Sequence, residues 1–119
     1  MVTSDLSARI NDVLRYVGIT RNMNAYMILS QALTLIAEDE DRLRAVEKEI
    51  YTPIADKTLR GPRAVQSTVR RASKVAWDFF PDRVQELAGY PLNSRPSAVA
   101  MLELLYNGVA RYDDLSILK

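Results

Sequence analysis

The residues best equipped for chemistry in this chain are cations, and they are bunched. The stretch IADKTLRGPRAVQSTVRRASKVAW, residues 54–77, carries six bases (Lys57, Arg60, Arg63, Arg70, Arg71 and Lys74) against one acid, Asp56. The chain as a whole has 16 basic and 15 acidic residues, so a nearly neutral protein holds a strongly basic segment. Within that segment Arg63, Gln66, Ser67, Arg70 and Lys74 follow the spacing i, i+3, i+4, i+7, i+11, which puts them on one face of a helix with Arg71 on the flank. Val65, Val69, Ala72 and Ala76 fall on the opposite face. Arginine can donate two parallel hydrogen bonds to guanine O6 and N7, and glutamine can do the same for adenine. Lys57 and Arg60, just ahead of the helix, are placed to neutralise phosphates, and a helix N-terminus adds partial positive charge. A basic stripe is more often only a solvated face. The Gly61-Pro62 turn and the scarcity of acids over residues 57–77 bring the nucleic-acid reading level with that plain one.

Those residues need a scaffold, and composition limits its kind. The 119 residues are the size of one domain, which buries roughly two-thirds of its unfolded surface. There is no Cys and no His, which excludes disulfides, Cys/His zinc sites, haem ligation by His, Cys nucleophiles and Ser-His-Asp triads. Glycine occurs four times, never clustered, so there is no phosphate-cradling loop and no dinucleotide fingerprint. The acids at 38–41 are consecutive, which suits a cap and a solvated turn better than a metal cage. No cofactor and no enzymatic activity are expected. The longest uncharged run, Asn22 to Ala37, has 16 residues and includes Asn, Ser, Gln and Thr, too short and too polar for a membrane span. The N-terminus lacks the basic and apolar regions of a signal peptide, so a cytoplasmic protein with no membrane partner is expected.

The hydrophobic pattern predicts an all-α, single compact domain of about six helices. Leu6, Ile10, Val13, Leu14 and Val17 form one amphipathic stripe, ended by Gly18. A second helix, from about Asn24 to Ala37, is apolar nearly all round and is predicted to be the most buried. A third starts near Asp39 or Asp41 and carries Leu43, Val46, Ile50 and Ile54. Pro53 either kinks it or sits at the first position of a new short helix capped by Thr52. After the turn at Gly61 comes the basic helix, then a short helix from Pro81 to Gly89, and a last one with Val99, Leu102, Leu105, Tyr106 and Val109 inward. Trp77 and Phe79-Phe80 are read as core and corner packing, and Met23, Met27 and Met101 as core fillers. The ends, Met1 to Thr3 and Leu115 to Lys119, are expected to be loose. A short helix, a tight turn and a second helix with a basic front is the helix-turn-helix layout, here at about 52–77.

Ile54-Ala55, Val65, Arg70, Ala72 and Val75-Ala76-Trp77 stand without a gap at the spacing of a known pattern. Ile10 to Ile19, Tyr26 to Leu33, Tyr51-Pro53 and Gly89-Tyr90 fit around them. Through these residues the chain resembles, over nearly its whole length, the C-terminal effector domain of the sporulation master response regulator, stage zero sporulation protein A. The resemblance implies a six-helix domain that regulates transcription by binding double-stranded promoter DNA, with the helix at about 62–77 in the major groove. It also implies a sigma subunit of RNA polymerase as a further partner and self-association on adjacent DNA sites. In the family a Glu-Arg pair and an Arg one turn later, followed by His, touch bases. Arg70 matches the later Arg, whereas Gln66, Ser67 and Arg71 replace the Glu, Arg and His, and Arg63 stands where the family has a small polar residue. The loop after Gly89-Tyr90 is shorter than the family's. The family's phosphorylated receiver is not among these residues, and Met1 lies a few positions before the first effector helix. Arg60, Arg63, Gln66, Ser67, Arg70, Arg71 and Lys74 are thus the expected DNA-binding set. The alternative is a helical protein-interaction module, or an antagonist of a full-length regulator, that no longer binds DNA specifically.

Overall fold

The computed structural model describes residues 4–115 and Leu118. Six α-helices build it: α1 (Ser4–Tyr16), α2 (Asn24–Glu38), α3 (Thr52–Thr58), α4 (Pro62–Phe79), α5 (Pro81–Ala88) and α6 (Ala98–Ala110). Among the described residues there is no strand, and no helix is long and apolar enough to cross a membrane.

Helix α1 delivers Ile10, Val13 and Leu14 to the core and ends as its glycine requires. Gly18 takes φ +86°, Gly18 N–H donates to Arg15 O at 3.0 Å, and Ile19 N–H donates to Leu14 O at 2.9 Å. These are the paired bonds of a Schellman termination, which needs a left-handed residue after the helix. The Phe80 ring then closes over the turn. A Cβ built on Gly18 would lie 2.6 Å from Phe80 Cε2.

Helix α2 packs against α1, α3, α4 and α6 and buries Ile28, Leu29, Ala32, Leu33 and Ile36. It does not hold the centre alone. Met27 is exposed and Leu35 only partly covered, whereas α6 buries Met101, Leu102, Leu104, Leu105, Gly108 and Val109. The expected dominance of α2 therefore gives way to a core shared by two helices. Val99, expected to face inward, is 43% exposed, because Met101 and Leu104 take the inner positions of α6.

The predicted third helix is three pieces. Asp39 closes α2 and caps a 3-10 turn, Glu40–Arg44, by accepting from Asp41 N–H at 3.0 Å. Arg42 reaches back to α2, donating to Leu35 O at 2.6 Å and Glu38 Oε1 at 3.0 Å. A π-helical turn, Glu47–Tyr51, then runs straight into α3. Tyr51 and Thr52 keep right-handed helical angles, and no side chain caps the junction. Pro53 would set its ring against the carbonyl four residues earlier in a regular α-helix. The widened turn ahead of it relieves that clash, so the chain passes through Pro53 with no Thr52 cap.

Several side chains sit elsewhere than expected. Phe79 is 73% exposed, while Phe80 packs on Gly18 and Trp77 is partly buried against the core. Of Met23, Met27 and Met101, only Met101 is buried. Leu115 and Leu118, expected to be loose, are instead buried in the core cluster. Met1 to Thr3 and residues 116, 117 and 119, also expected to be loose, lie outside the described residues.

The turn between α3 and α4 is made by an unexpected residue. Leu59 takes the left-handed conformation (φ 58°), while Gly61 is extended at φ −73°. Leu59 is also 95% exposed, so its side chain contributes no packing to offset that conformation. Gly18→Ala, which adds both left-handed strain and a clash with Phe80, is expected to lower stability by about 2 kcal/mol or more. Leu59→Gly is expected to raise it by roughly 0.5–1 kcal/mol. Urea melts of the two variants check the opposite signs.

Candidate nucleic-acid interface

Helix α4 is held from behind. Val65, Thr68, Val69, Ala72, Ser73 and Ala76 are buried, and the helix packs against α2, α3, α5 and α6. Two of those six are polar, and both are satisfied. Thr68 Oγ1 donates to Ala64 O at 3.0 Å, and Ser73 Oγ donates to Pro96 O at 2.9 Å. The Ser73 bond ties the middle of α4 to the loop before α6. Sequence reading passed over Ser73, although it continues the Val65-Val69 register at i+4 and so belongs to the buried seam.

With that seam facing inward, the opposite side of α4 is presented to solvent. At about 100° per residue Arg63, Ser67, Arg70 and Lys74 fall within roughly 60° of one another around the helix. Arg63, Arg70, Arg71 and Lys74 are exposed, and Gln66 and Ser67 are half-buried. Lys57 at the end of α3 and Arg60 in the turn are exposed as well. The fold thus collects all seven predicted residues on α4 and the turn before it.

The cations are not equivalent. Lys57, Arg60, Arg63 and Arg70 make no ion pair or hydrogen bond with any described residue. Arg71 Nη2 lies 3.4 Å from Thr68 Oγ1, drawn back along its own helix. Lys74 Nζ sits 2.6 Å from Asp78 Oδ2 in an i, i+4 ion pair. Free positive charge is therefore concentrated on the turn and the first half of α4, and it fades toward the C-terminal end. The tip is also open: a Cβ on Gly61 would meet nothing within 4 Å. Pro62 opens α4 without a side-chain cap and has no N–H of its own. Ala64 and Val65 N–H donate to Gly61 O at 3.0 and 3.2 Å, so in the first turn it is the Arg63 N–H that has no backbone acceptor among the described residues.

Among the described residues no group of three or more His, Cys, Asp or Glu could hold a metal ion. What α3, the Leu59–Gly61 turn and α4 form is a helix-turn-helix with an apolar back and a cationic front, set in an all-helical domain. That layout defines a class of DNA-binding effector domain. The family model described as sporulation initiation factor Spo0A C terminal matches residues 10–109, and the chain belongs to that family. The family is one of DNA-binding regulatory domains of sporulation transcription rather than of enzymes.

Asp78 follows from this geometry as a restraint on the basic front. Asp78→Asn should free Lys74, raise affinity for random duplex DNA severalfold and steepen its salt dependence by up to about 1 in slope. Gel shifts at two salt concentrations check it.

Proposed function

We propose that this chain is a transcription regulator that reads promoter DNA by laying α4 in the major groove. The observation that carries this is the set of unpaired, exposed cations Lys57, Arg60, Arg63 and Arg70 on the turn and the first half of α4. Arg9, Arg15 and Arg42 are held in ion pairs with neighbouring acids. Arg44, Lys48 and Arg95 are also exposed without ion pairs among the described residues, but Arg44 and Lys48 stand in sequence among Glu40, Asp41, Glu47 and Glu49, and Arg95 is a single cation in the loop before α6. Arg70 reads a base, guanine being the partner its fork fits, with Arg63 beside it on the same face. Gln66 and Ser67 complete the reading surface, and Gln66 suits adenine. Arg60, Arg71 and Lys74 hold phosphates, with Lys57 next to them. The cytoplasm of a bacterium is the place for such a protein.

One recognition helix covers one short half-site, so a single copy of the 119-residue chain binds weakly, nearer the non-specific range than the range of tight dimers. Two copies on adjacent sites help each other by raising the effective concentration of the second. The surfaces left for that contact, or for a sigma subunit of RNA polymerase, are α5 and the outward side of α6, since α4 is on the DNA and the rest of α6 shares the core with α2. Exposed Phe79 and Tyr90 lie just before and just after α5, and exposed Val99 lies in the first turn of α6. The half-burial of Gln66 and Ser67 favours the rival reading, a protein-interaction module without specific DNA binding, because half-buried side chains reach less far into a groove.

Two substitutions separate the readings. Arg70→Ala is expected to cost about 1–3 kcal/mol on the preferred duplex and to relax selection at one base pair. Arg60→Ala is expected to weaken all duplexes alike and to lower the salt slope by about 1. Duplexes with one and with two sites, compared in the same assay, should show tighter binding to two. Equal losses on preferred and random DNA in both variants would favour the interaction module.

A further inference from the structure

Tyr51 closes the π-helical turn and is 4% exposed. Its hydroxyl oxygen is shut off from solvent and has no hydrogen-bond partner. A buried hydroxyl left unpaired is a standing cost to the free fold, and such groups are rare enough to ask for a reason. The turn that carries it packs directly on α4. Burial pushes the Tyr51 phenol up, and the charge of Arg70 pulls the other way, so Arg70 is the cation of α4 whose field reaches the hydroxyl. A π-helical turn is itself a frequent marker of a functional position.

Arg70 supplies the other half of the observation. It is exposed, and no ion pair or hydrogen bond holds its guanidinium in the free protein. A fork that reads guanine must be held in one plane, and it has five N–H donors, of which the base uses two. The remaining donors need an acceptor on the protein side. The Tyr51 hydroxyl is an acceptor without a donor, carried on the segment behind the recognition helix. A phosphate oxygen has no open path to this buried atom, whereas Arg70 already lies on the helix that packs against the turn carrying it.

Resting on the reading of α4 as the recognition helix, we propose that Tyr51 is a positioning residue for Arg70: on DNA, its hydroxyl oxygen accepts one guanidinium N–H and fixes the plane of the fork over its base. Tyr51 touches no nucleotide. It sharpens the choice of base without adding to non-specific affinity.

The test uses the full chain, the duplex it selects best from random sequence, and the same duplex with the Arg70-dependent base pair changed. Tyr51→Phe removes only the hydroxyl and should melt at or above the wild-type temperature. Its preference for the selected duplex should fall about 5–10-fold, with unchanged affinity for random DNA and an unchanged salt slope. In an Arg70→Ala background the same change should have no further effect. The Tyr51 ring carbon bearing the hydroxyl should shift in NMR spectra of the wild type when the selected duplex is added, a readout that does not depend on the variant folding. Full retention of preference, an equal additional loss in the Arg70→Ala background, or an unmoved Tyr51 signal would overturn the proposal while leaving α4 as the reader. A uniform loss on all duplexes with a flatter salt slope would instead make Tyr51 a phosphate ligand. A wild type with no preference among duplexes would remove the reading of α4 itself, and this inference with it.

Discussion

The burial of one side of α4 is the constraint on which the rest depends. Val65, Val69, Ala72 and Ala76 are sealed under the helix with Thr68 and Ser73 beside them, and this fixes the rotation of α4 about its axis. A rotation by one residue would carry arginines toward the core, where an unpaired charge costs far more than a few buried methyl groups return. The apolar seam therefore decides which side chains face outward, even though it makes no contact with anything beyond the domain. Each fully buried valine contributes about 1.5–3 kcal/mol to holding that orientation. The Ser73 bond to Pro96 O adds a directional restraint that apolar packing alone lacks.

The platform beneath α4 explains why the two central helices are so apolar. Helices α2 and α6 both pack against α4, and neither has a long polar face to turn outward. Helix α3 then sets where the turn begins. Its position follows from the π-helical turn before Pro53 and from the left-handed Leu59 after Thr58. Together these place Lys57, Arg60 and the open start of α4 side by side. Charge does the rest by remaining unpaired: Lys57, Arg60 and Arg63 sit around the helix N-terminus, which adds its own partial positive charge, Arg70 stands free two turns on, and Lys74 near the far end is held by Asp78.

Where the sequence was legible, a residue had one physical option. Gly18 and Gly89 both end helices at φ +86°, a conformation other residue types resist. Pro62 and Pro81 open helices because the missing N–H is harmless in a first turn. The back of α4 was legible because apolar residues recur there at helical spacing, and the seven candidate residues share a face for the same reason. The rest depended on tertiary partners. Leu59 gives no local sign of a left-handed backbone, and the glycine two residues later drew attention away from it. The break of residues 40–51 into a 3-10 turn and a π turn answers to the Arg42 bonds on α2 and to the crowding at Pro53. Ser73 reads as polar, and only the carbonyl of Pro96 facing it makes burial acceptable. Phe79 and Val99 are apolar yet exposed, while Leu115 and Leu118 near the end of the chain are buried.

The central claim is that duplex DNA meets this domain on the turn and the front of α4. Backbone amide NMR of the labelled chain, titrated with a duplex carrying one preferred site, tests it most directly. The account predicts that shifts are concentrated between Lys57 and Lys74, strongest around Arg60, Arg63, Ser67 and Arg70, with α5 and α6 nearly unmoved. Shifts centred on α5 and α6 with residues 57–74 unmoved would contradict it.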